Sequence, residues 1–268
     1  MAVTCRPRIC LKAVIITLLA CFTTIGNAAS PSATHSAPLR VAVASNFRPL
    51  LDKLAAQFLQ RTGIELEIIS ASSGTHYSQM LNGAPMDVFL SADRLRPELL
   101  ETQGLAVPGS RHTYALGRLA LWQRDGSDVN AQTLHLWPGK LAIANPALAP
   151  YGAAAQQVLE HLELWSSYAP RRLIQGNNIA QAMQFVASGN VGLGLVALSD
   201  LRLLGLKRGV WIVPVSLHSP IEQQLVILQR SSRVPEAKLF SAFILSADVQ
   251  QQIAAAGYMS AASSGTDQ

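Results

Sequence analysis

Short apolar segments alternate with segments of helical spacing from residue 39 onwards. Leu39–Ala44 is Val-rich and almost continuously apolar, which predicts a buried β-strand. Leu50, Leu54 and Phe58 then fall on one face of a helix, which we predict over residues 49–60. The next two strands are predicted over residues 66–70 and 88–91, and the helices that follow them over residues 76–81 and 96–103. This alternation predicts a parallel sheet covered by helices.

A second series with the same alternation follows, although no repeat of the first sequence underlies it. Its strands are predicted over residues 116–123, 140–144, 172–174 and 191–197, and its helices near Leu134 and over residues 153–162 and 180–187. Two more strands are predicted over residues 210–215 and 222–228, and two C-terminal helices near residues 236–245 and 247–256. We therefore predict an α/β protein with two lobes, whose ligand lies in the cleft between them.

The N-terminal segment has the pattern of a secretory leader. A mostly apolar run covers residues 13–26, and small residues that suit cleavage follow it. Three basic residues precede the run: Arg6, Arg8 and Lys12. The run is shorter than the roughly 20 apolar residues that a membrane-spanning helix needs. We predict a removed signal peptide over residues 1–28, a linker over residues 29–38, and a location in the periplasm.

A lipid anchor is the alternative fate of this leader. Leu18-Leu19-Ala20-Cys21 resembles a lipobox, in which Cys21 would carry the lipid. All the cysteines of the chain lie in the leader: Cys5, Cys10 and Cys21. After cleavage near residue 28, the exported chain uses neither a disulfide framework nor thiolate chemistry.

The basic character of the full chain comes largely from the leader. The chain has 21 Lys and Arg against 16 Asp and Glu, a net charge of +5, and loss of the three leader cations leaves 18 − 16 = +2. So mild a charge does not indicate binding to nucleic acid. At the other end, small residues predict a flexible tail over residues 259–268.

Motifs of the common enzyme classes are missing. The sequence has no Gly-x-x-x-x-Gly-Lys loop, no Gly-x-Ser-x-Gly elbow and no His-Glu-x-x-His pair. The histidines do not stand at metal-ligand spacing from one another: His35, His76, His112, His135, His161 and His218. We therefore predict that the protein is not an enzyme, offers no direct ligands to a metal cation and uses no cofactor.

Polar or tight turns follow several predicted strands where a helix begins. They are Ser45-Asn46, Ser72-Ser73-Gly74-Thr75, Asn145-Pro146 with Pro150-Tyr151-Gly152, and Gly176-Asn177-Asn178-Ile179. The N-terminus of a helix leaves backbone N–H groups unpaired and carries a partial positive charge, so it can bind an anion. Ser, Thr and Asn add side-chain donors there. Helix capping alone would explain the same residues, so both interpretations stay open on this pattern.

These turns belong to a set of motifs that occur in a fixed order: Val41-Ala-Val-Ala-Ser-Asn-Phe47, Ala71-Ser-Ser-Gly-Thr75, Asn82-Gly-Ala-Pro-Met-Asp-Val-Phe-Leu-Ser-Ala-Asp93, Asn145-Pro146 with Pro150-Tyr-Gly152, Gly189-Asn-Val-Gly-Leu-Gly-Leu-Val-Ala-Leu-Ser-Asp200 and Ser219-Pro-Ile-Glu222. With them the chain resembles the periplasmic molybdate-binding proteins of ABC importers, in the branch with a Ser-Asn-Phe motif. The resemblance implies a type II periplasmic-binding-protein fold. It places one lobe at residues 39–114 plus 222–258 and the other at residues 115–221.

The resemblance also implies which residues bind a molybdate or tungstate oxyanion. Ser45 and Ser73 match serines that donate from the hydroxyl and the backbone, and Asn46 takes the extra donor position of the Ser-Asn-Phe branch. Tyr151 and Ile179 match positions that donate a backbone N–H, so their side chains should matter little. Uncharged donors at fixed spacing hold a dianion without a buried counter-charge, and they select it by size.

One position departs from the family pattern. Some members donate to the oxyanion from a tyrosine hydroxyl at the position of Ala197, which has no such donor, and Asn46 is our candidate to replace it. The implied function is capture of molybdate or tungstate, by a monomer, for the membrane permease of an ABC importer. The alternatives are a binding protein for sulfate or phosphate and, with less support, a secreted α/β enzyme.

Overall fold

A computed structural model describes residues 37–169 and 171–259; the predicted signal peptide, Cys21 and residues 260–268 of the predicted tail lie outside them. The described strands and helices follow one another in this order: β1 (Leu39–Ala44), α1 (Arg48–Thr62), β2 (Leu66–Ala71), α2 (Ser73–Leu81), β3 (Val88–Leu90), α3 (Leu95–Thr102), β4 (His112–Gly117), β5 (Leu119–Gln123), α4 (Ala131–Leu136), β6 (Leu141–Ala144), α5 (Pro150–His161), α6 (Trp165–Tyr168), β7 (Leu173–Gly176), α7 (Ile179–Ala187), β8 (Leu193–Ala197), α8 (Leu198–Leu203), β9 (Val210–Ile212), β10 (Ile221–Ile227), α9 (Val234–Leu245) and α10 (Ala247–Ala255).

The first lobe is built on a five-stranded sheet in the order β2-β1-β3-β10-β4. β1 pairs in parallel with β2 and β3, whereas β10 runs antiparallel to β3 and β4. The sheet is therefore mixed rather than wholly parallel, because β10 is reached from the other lobe and not through a local crossover helix. Helices α1, α9 and α10 share one core with this sheet, where the ring of Phe58 packs against those of Phe240 and Phe243.

The second lobe has its own five-stranded sheet, in the order β7-β6-β8-β5-β9. β6 is parallel to β7 and β8, and β5 is antiparallel to β8 and β9. Helix α5 packs against this sheet through Val158 and Leu159, which are fully buried. In both lobes, the parallel strands end where a helix is about to begin.

The chain passes from the first sheet to the second at Arg118. The prediction of one strand over residues 116–123 is wrong, since β4 ends at Gly117 and β5 begins in the other sheet. Residues 114–117 and 119–122 are buried on either side of Arg118, so apolar positions flank the crossing closely and one charged residue is all that marks it. Met259, in the predicted tail, exchanges backbone hydrogen bonds of 3.0 and 2.9 Å with Leu116 and is paired rather than flexible.

Two helices begin three residues before their predicted starts. α2 begins at Ser73 rather than at residue 76, and α5 at Pro150 rather than at residue 153. Pro150 suits a first turn because the N–H that proline lacks would have no intrahelical acceptor there. The earlier starts place Ser73 and Tyr151 in first turns, where backbone N–H groups are left unpaired.

Candidate functional site

A small cavity lies where strand ends of the two lobes meet. It is lined by the first turn of α2, by the starts of α5 and α7, and by the turn between β1 and α1. All the residues predicted for the site line it: Ser45, Asn46, Ser73, Tyr151 and Ile179. Each of them is at most 5% exposed to solvent, so these residues are withdrawn from bulk water.

Four backbone N–H groups at this cavity have no acceptor among the described residues: those of Asn46, Ser73, Tyr151 and Ile179. Three of them belong to first turns, where an α-helix provides no acceptor for them. A buried N–H without a partner is costly, and the macrodipole makes each of these helix ends locally positive. The cavity is therefore suited to an anion that accepts several hydrogen bonds.

Two serine hydroxyls add to these donors. The prediction that the Ser45 backbone N–H also donates to the ligand is wrong for this structure, because that N–H donates to the Ala71 carbonyl at 3.0 Å. Ser73 Oγ accepts a hydrogen bond of 2.9 Å from the Ala92 N–H, and Ser45 Oγ accepts a longer one of 3.4 Å from the Ala180 N–H. Because each oxygen is an acceptor in these bonds, its own proton stays available for a ligand. The hydroxyls are thus oriented by backbone groups of the protein.

The residues that cap two of these helices are neighbours of the residues that line the cavity. Ser72 caps α2 by accepting from the Thr75 N–H, and Asn178 caps α7 by accepting from the Gln181 N–H. Ser73 and Ile179, one residue further along, keep their N–H groups unpaired and line the cavity. Capping is therefore confirmed for Ser72 and Asn178, and anion binding by the residues that follow them stays a prediction.

The cavity lining contains no charged side chain. His76, on the α2 helix behind Ser73, is buried, and its burial lowers its pKa, so the ring is neutral near pH 7. Its Nε2 lies 3.1 Å from the Val43 carbonyl and ties α2 to β1. An anion in this cavity would be held by dipoles rather than by a counter-ion, which avoids the desolvation of a second charge.

Residues 39–259 match the family model described as bacterial extracellular solute-binding protein. The chain belongs to this family. Among its relatives is the molybdate-binding protein ModA of Azotobacter vinelandii, 42% identical over 84% of this chain and 91% of that protein. ModA of Rhodobacter capsulatus is 38% identical over 81% of this chain and 86% of its own length.

Solved structures give the same fold. The periplasmic molybdate-binding protein of Azotobacter vinelandii matches with a TM-score of 0.78 and 40% identity, covering 82% of this chain and 98% of that one. The sulfate-binding protein SubI of Mycobacterium tuberculosis H37Rv matches with a TM-score of 0.68 at 11% identity, which shows the fold alone. The predicted two-lobed type II architecture is confirmed, and these relatives are binding proteins rather than enzymes. The family supports an extracytoplasmic location.

In this solute-binding protein, the Asn46 side chain is engaged inside the protein. Its Nδ2 donates to Gln223 Oε1 at 2.9 Å and to the Tyr258 hydroxyl at 3.2 Å, which uses both amide hydrogens. The Tyr258 hydroxyl in turn donates to the Asn46 carbonyl at 2.9 Å. The group of Asn46 that remains available at the cavity is its backbone N–H.

The Tyr151 side chain has a structural role that the family resemblance does not indicate. It is fully buried, and its hydroxyl accepts a hydrogen bond of 3.3 Å from Gln223 Nε2. A Cβ on Gly117 would collide with this hydroxyl, so the crossing between the lobes requires glycine there. Gln223, a fully buried polar residue in the strand β10, is the sequence signal for this network.

Ala197 does not reach the cavity. It ends β8, is fully buried and is absent from the cavity lining. Among the described residues, no cluster of three or more His, Cys, Asp or Glu is placed to hold a metal ion. Within the same part of the chain, no helix has the length and apolar character to cross a membrane.

Proposed function

We propose that this solute-binding protein captures molybdate, and tungstate as an oxyanion of nearly the same size. The observation that carries the proposal is the convergence of four unpaired N–H groups and two serine hydroxyls on one uncharged cavity. Relatives named as molybdate-binding proteins, at 42% and 38% identity, support this ligand. The donors come from both lobes, so the ligand would be enclosed between them.

Size would separate molybdate from smaller oxyanions. The donors belong to the ends of separate helices and cannot each follow the ligand independently. Around the shorter bonds of sulfate, some donors would stay unsatisfied, at about 1–3 kcal/mol for each buried group. The same reasoning places phosphate below molybdate.

Titration calorimetry of the exported protein with molybdate, tungstate, sulfate and phosphate tests the proposal. We expect tight binding of the first two alone. Thermal unfolding gives an independent measure, since a ligand at a hundredfold excess over its Kd stabilises the folded state by about 2.7 kcal/mol. A rise in Tm with sulfate equal to that with molybdate would contradict selection by size.

The proposed role is delivery of the oxyanion to the membrane permease of an ABC importer, by a monomer that needs no cofactor and does not bind nucleic acid. The predicted signal peptide supports the periplasm as the location, and a lipid anchor at Cys21 is the alternative. Mass spectrometry of the mature N-terminus distinguishes them. A chain that starts near residue 29 indicates a soluble protein, whereas an acylated Cys21 indicates an anchored one.

A further inference from the structure

The cavity is closed by hydrogen bonds that run from one lobe to the other. The Gly74 N–H donates to the Leu148 carbonyl at 2.9 Å, and Arg96 Nη2 donates to the Ala147 carbonyl at 3.3 Å. The residues predicted to bind the ligand are at most 5% exposed, so an oxyanion reaches them when the lobes separate and these bonds break. Both bonds end on adjacent carbonyls of one segment of the second lobe.

That segment is a fixed turn. Asn145 Oδ1 accepts from the Ala147 N–H at 3.0 Å, and the Asn145 carbonyl accepts from the N–H groups of Leu148 and Ala149 at 3.1 and 2.9 Å. The turn leads directly into α5, whose first turn carries the unpaired Tyr151 N–H. Bonds to this turn therefore set the distance between the first lobe and a ligand donor of the second.

Arg96 is held in place before it meets the other lobe. Its guanidinium pairs with Asp93, and both side chains are only 18% exposed. The Asp93 carboxylate also accepts from the Arg96 backbone N–H at 3.0 Å and from Ser91 Oγ at 3.2 Å. Little side-chain entropy is lost when an arginine oriented in this way donates across the cleft.

Glycine is required at position 74 because the surrounding atoms leave no room for a Cβ, and not because of its backbone conformation. Its φ lies outside the left-handed region that favours glycine. A Cβ at this position would lie 2.8 Å from the Leu148 carbonyl oxygen and 2.9 Å from Arg96 Nη2. An alanine at residue 74 is therefore compatible with α2 itself and incompatible with the closed arrangement of the lobes.

We propose that Gly74 and Arg96, with the carbonyls of Ala147 and Leu148, form an interlobe latch. The latch positions the two lobes around the bound oxyanion and sets how long it is retained. It touches no group that lines the ligand and does not select between molybdate and tungstate. The proposal rests on the proposed capture of an oxyanion by this cavity.

The test compares Gly74→Ala and Arg96→Ala with wild type. Stopped-flow kinetics with molybdate and with tungstate separate association from dissociation, and small-angle X-ray scattering reports closure. Arg94→Ala is the matched control, because Arg94 pairs with Glu98 at 3.6 Å on an exposed surface of the first lobe. Arg96→Lys keeps the charge but not the guanidinium.

We expect dissociation to become about ten- to a hundredfold faster in Gly74→Ala and roughly tenfold faster in Arg96→Ala. The factor should be the same for both oxyanions, with association and the Arg94→Ala control unchanged. Gly74→Ala without ligand should melt no lower than wild type, because alanine is the better helix former. Its compaction on binding should be smaller.

Unchanged dissociation in Gly74→Ala and Arg96→Ala, in a wild-type background that binds, overturns the latch and leaves the proposed function intact. A lower Tm without faster dissociation also overturns it, since that pattern reports a role in the stability of one lobe. Failure of the wild-type protein itself to bind either oxyanion contradicts the proposed function.

Discussion

Gln223 Nε2 donates a hydrogen bond of 3.3 Å to the Tyr151 hydroxyl, and this bond joins the strand β10 of one lobe to the helix α5 of the other. The same glutamine accepts through Oε1 from Asn46 at 2.9 Å and from the Tyr114 hydroxyl at 3.0 Å. One fully buried amide thus connects residues on both sides of the cavity. The side chains of Tyr151 and Asn46 act through this network, while their backbone N–H groups face the ligand site.

Tyr151→Phe should lower the free energy of unfolding by about 1–2 kcal/mol, because it leaves the buried Gln223 amide without an acceptor. For a chain of this size that corresponds to a fall in Tm of roughly 2–8 °C. Calorimetric unfolding without ligand measures it. An unchanged Tm would mean that the hydrogen bond between Gln223 and Tyr151 contributes nothing to stability. Ile179→Val, which keeps its backbone N–H, is the control for molybdate affinity.

Ser45→Ala and Ser73→Ala should each weaken molybdate binding about ten- to a hundredfold, since a hydrogen bond to a charged group is worth about 1.5–3 kcal/mol. Ser73→Ala should also lower the Tm of the free protein, because the Ala92 N–H loses its buried acceptor. Titration calorimetry and thermal unfolding separate the two effects. Wild-type affinity in Ser45→Ala would remove this hydroxyl from the site.

Asn46→Ala should cost more in stability than in affinity. The substitution keeps the unpaired backbone N–H and removes the bonds to Gln223 and Tyr258. We expect a loss of about 1–3 kcal/mol in the free energy of unfolding and a smaller change in Kd than in Ser45→Ala. An affinity loss equal to that of the serines would instead support the side chain as the donor that Ala197 lacks.

Asp200→Asn should stabilise the protein at neutral and alkaline pH. Asp200 is 6% exposed, its Oδ1 has no partner among the described residues, and burial raises its pKa from 3.8 to about 7. Because the folded state holds this proton more tightly than the unfolded state, stability is lost as pH rises from about 4 to about 7. The gain in Asp200→Asn should reach at most about 4 kcal/mol above pH 7, at 1.36 kcal/mol per pKa unit, and vanish near pH 4.

Asp248 is the opposite case and the control for this pH series. Its hydrogen bond from Arg61 lowers its pKa to about 2, so its ionised form contributes stability above pH 4 that is lost as pH falls towards 2. Asp248→Asn should therefore lower the free energy of unfolding at neutral pH, but only slightly, because the Arg61–Asp248 ion pair is exposed. If the free energies of unfolding of wild type and Asp200→Asn change in parallel between pH 4 and pH 8, the raised pKa of Asp200 is contradicted.

The sequence predicts the strands well, because a buried strand is a short apolar run whatever lies around it. Leu39–Ala44 is found with the bounds predicted. Helix starts and the crossing at Arg118 depend on contacts that the local pattern does not contain. Apolar residues resume directly after Arg118, so the local pattern does not show that β4 and β5 belong to different sheets, whereas the pairing of the two strands does.

The candidate site was predicted through family motifs, whereas the internal contacts of the Asn46 and Tyr151 side chains were not. Tyr151 and Asn46 both occupy predicted ligand-binding positions. Their side chains, however, contact Gln223, which lies 72 positions from Tyr151 and 177 positions from Asn46 along the chain. Periodicity and capping rules describe neighbours within a few residues and say nothing about such pairs. Gln223 gave a partial signal, as a polar residue in a strand whose other positions are mostly buried and apolar.

The hydrogen-bond donors that line the cavity are amide and hydroxyl groups, none of which gains or loses a proton near neutrality. Acidification from pH 8 to pH 6 would therefore not change the charge of these groups. An oxyanion that stays a dianion over this range should be held equally firmly at both pH values. Release of the oxyanion therefore depends on separation of the two lobes and not on protonation, and the protein that receives the oxyanion must bring this separation about.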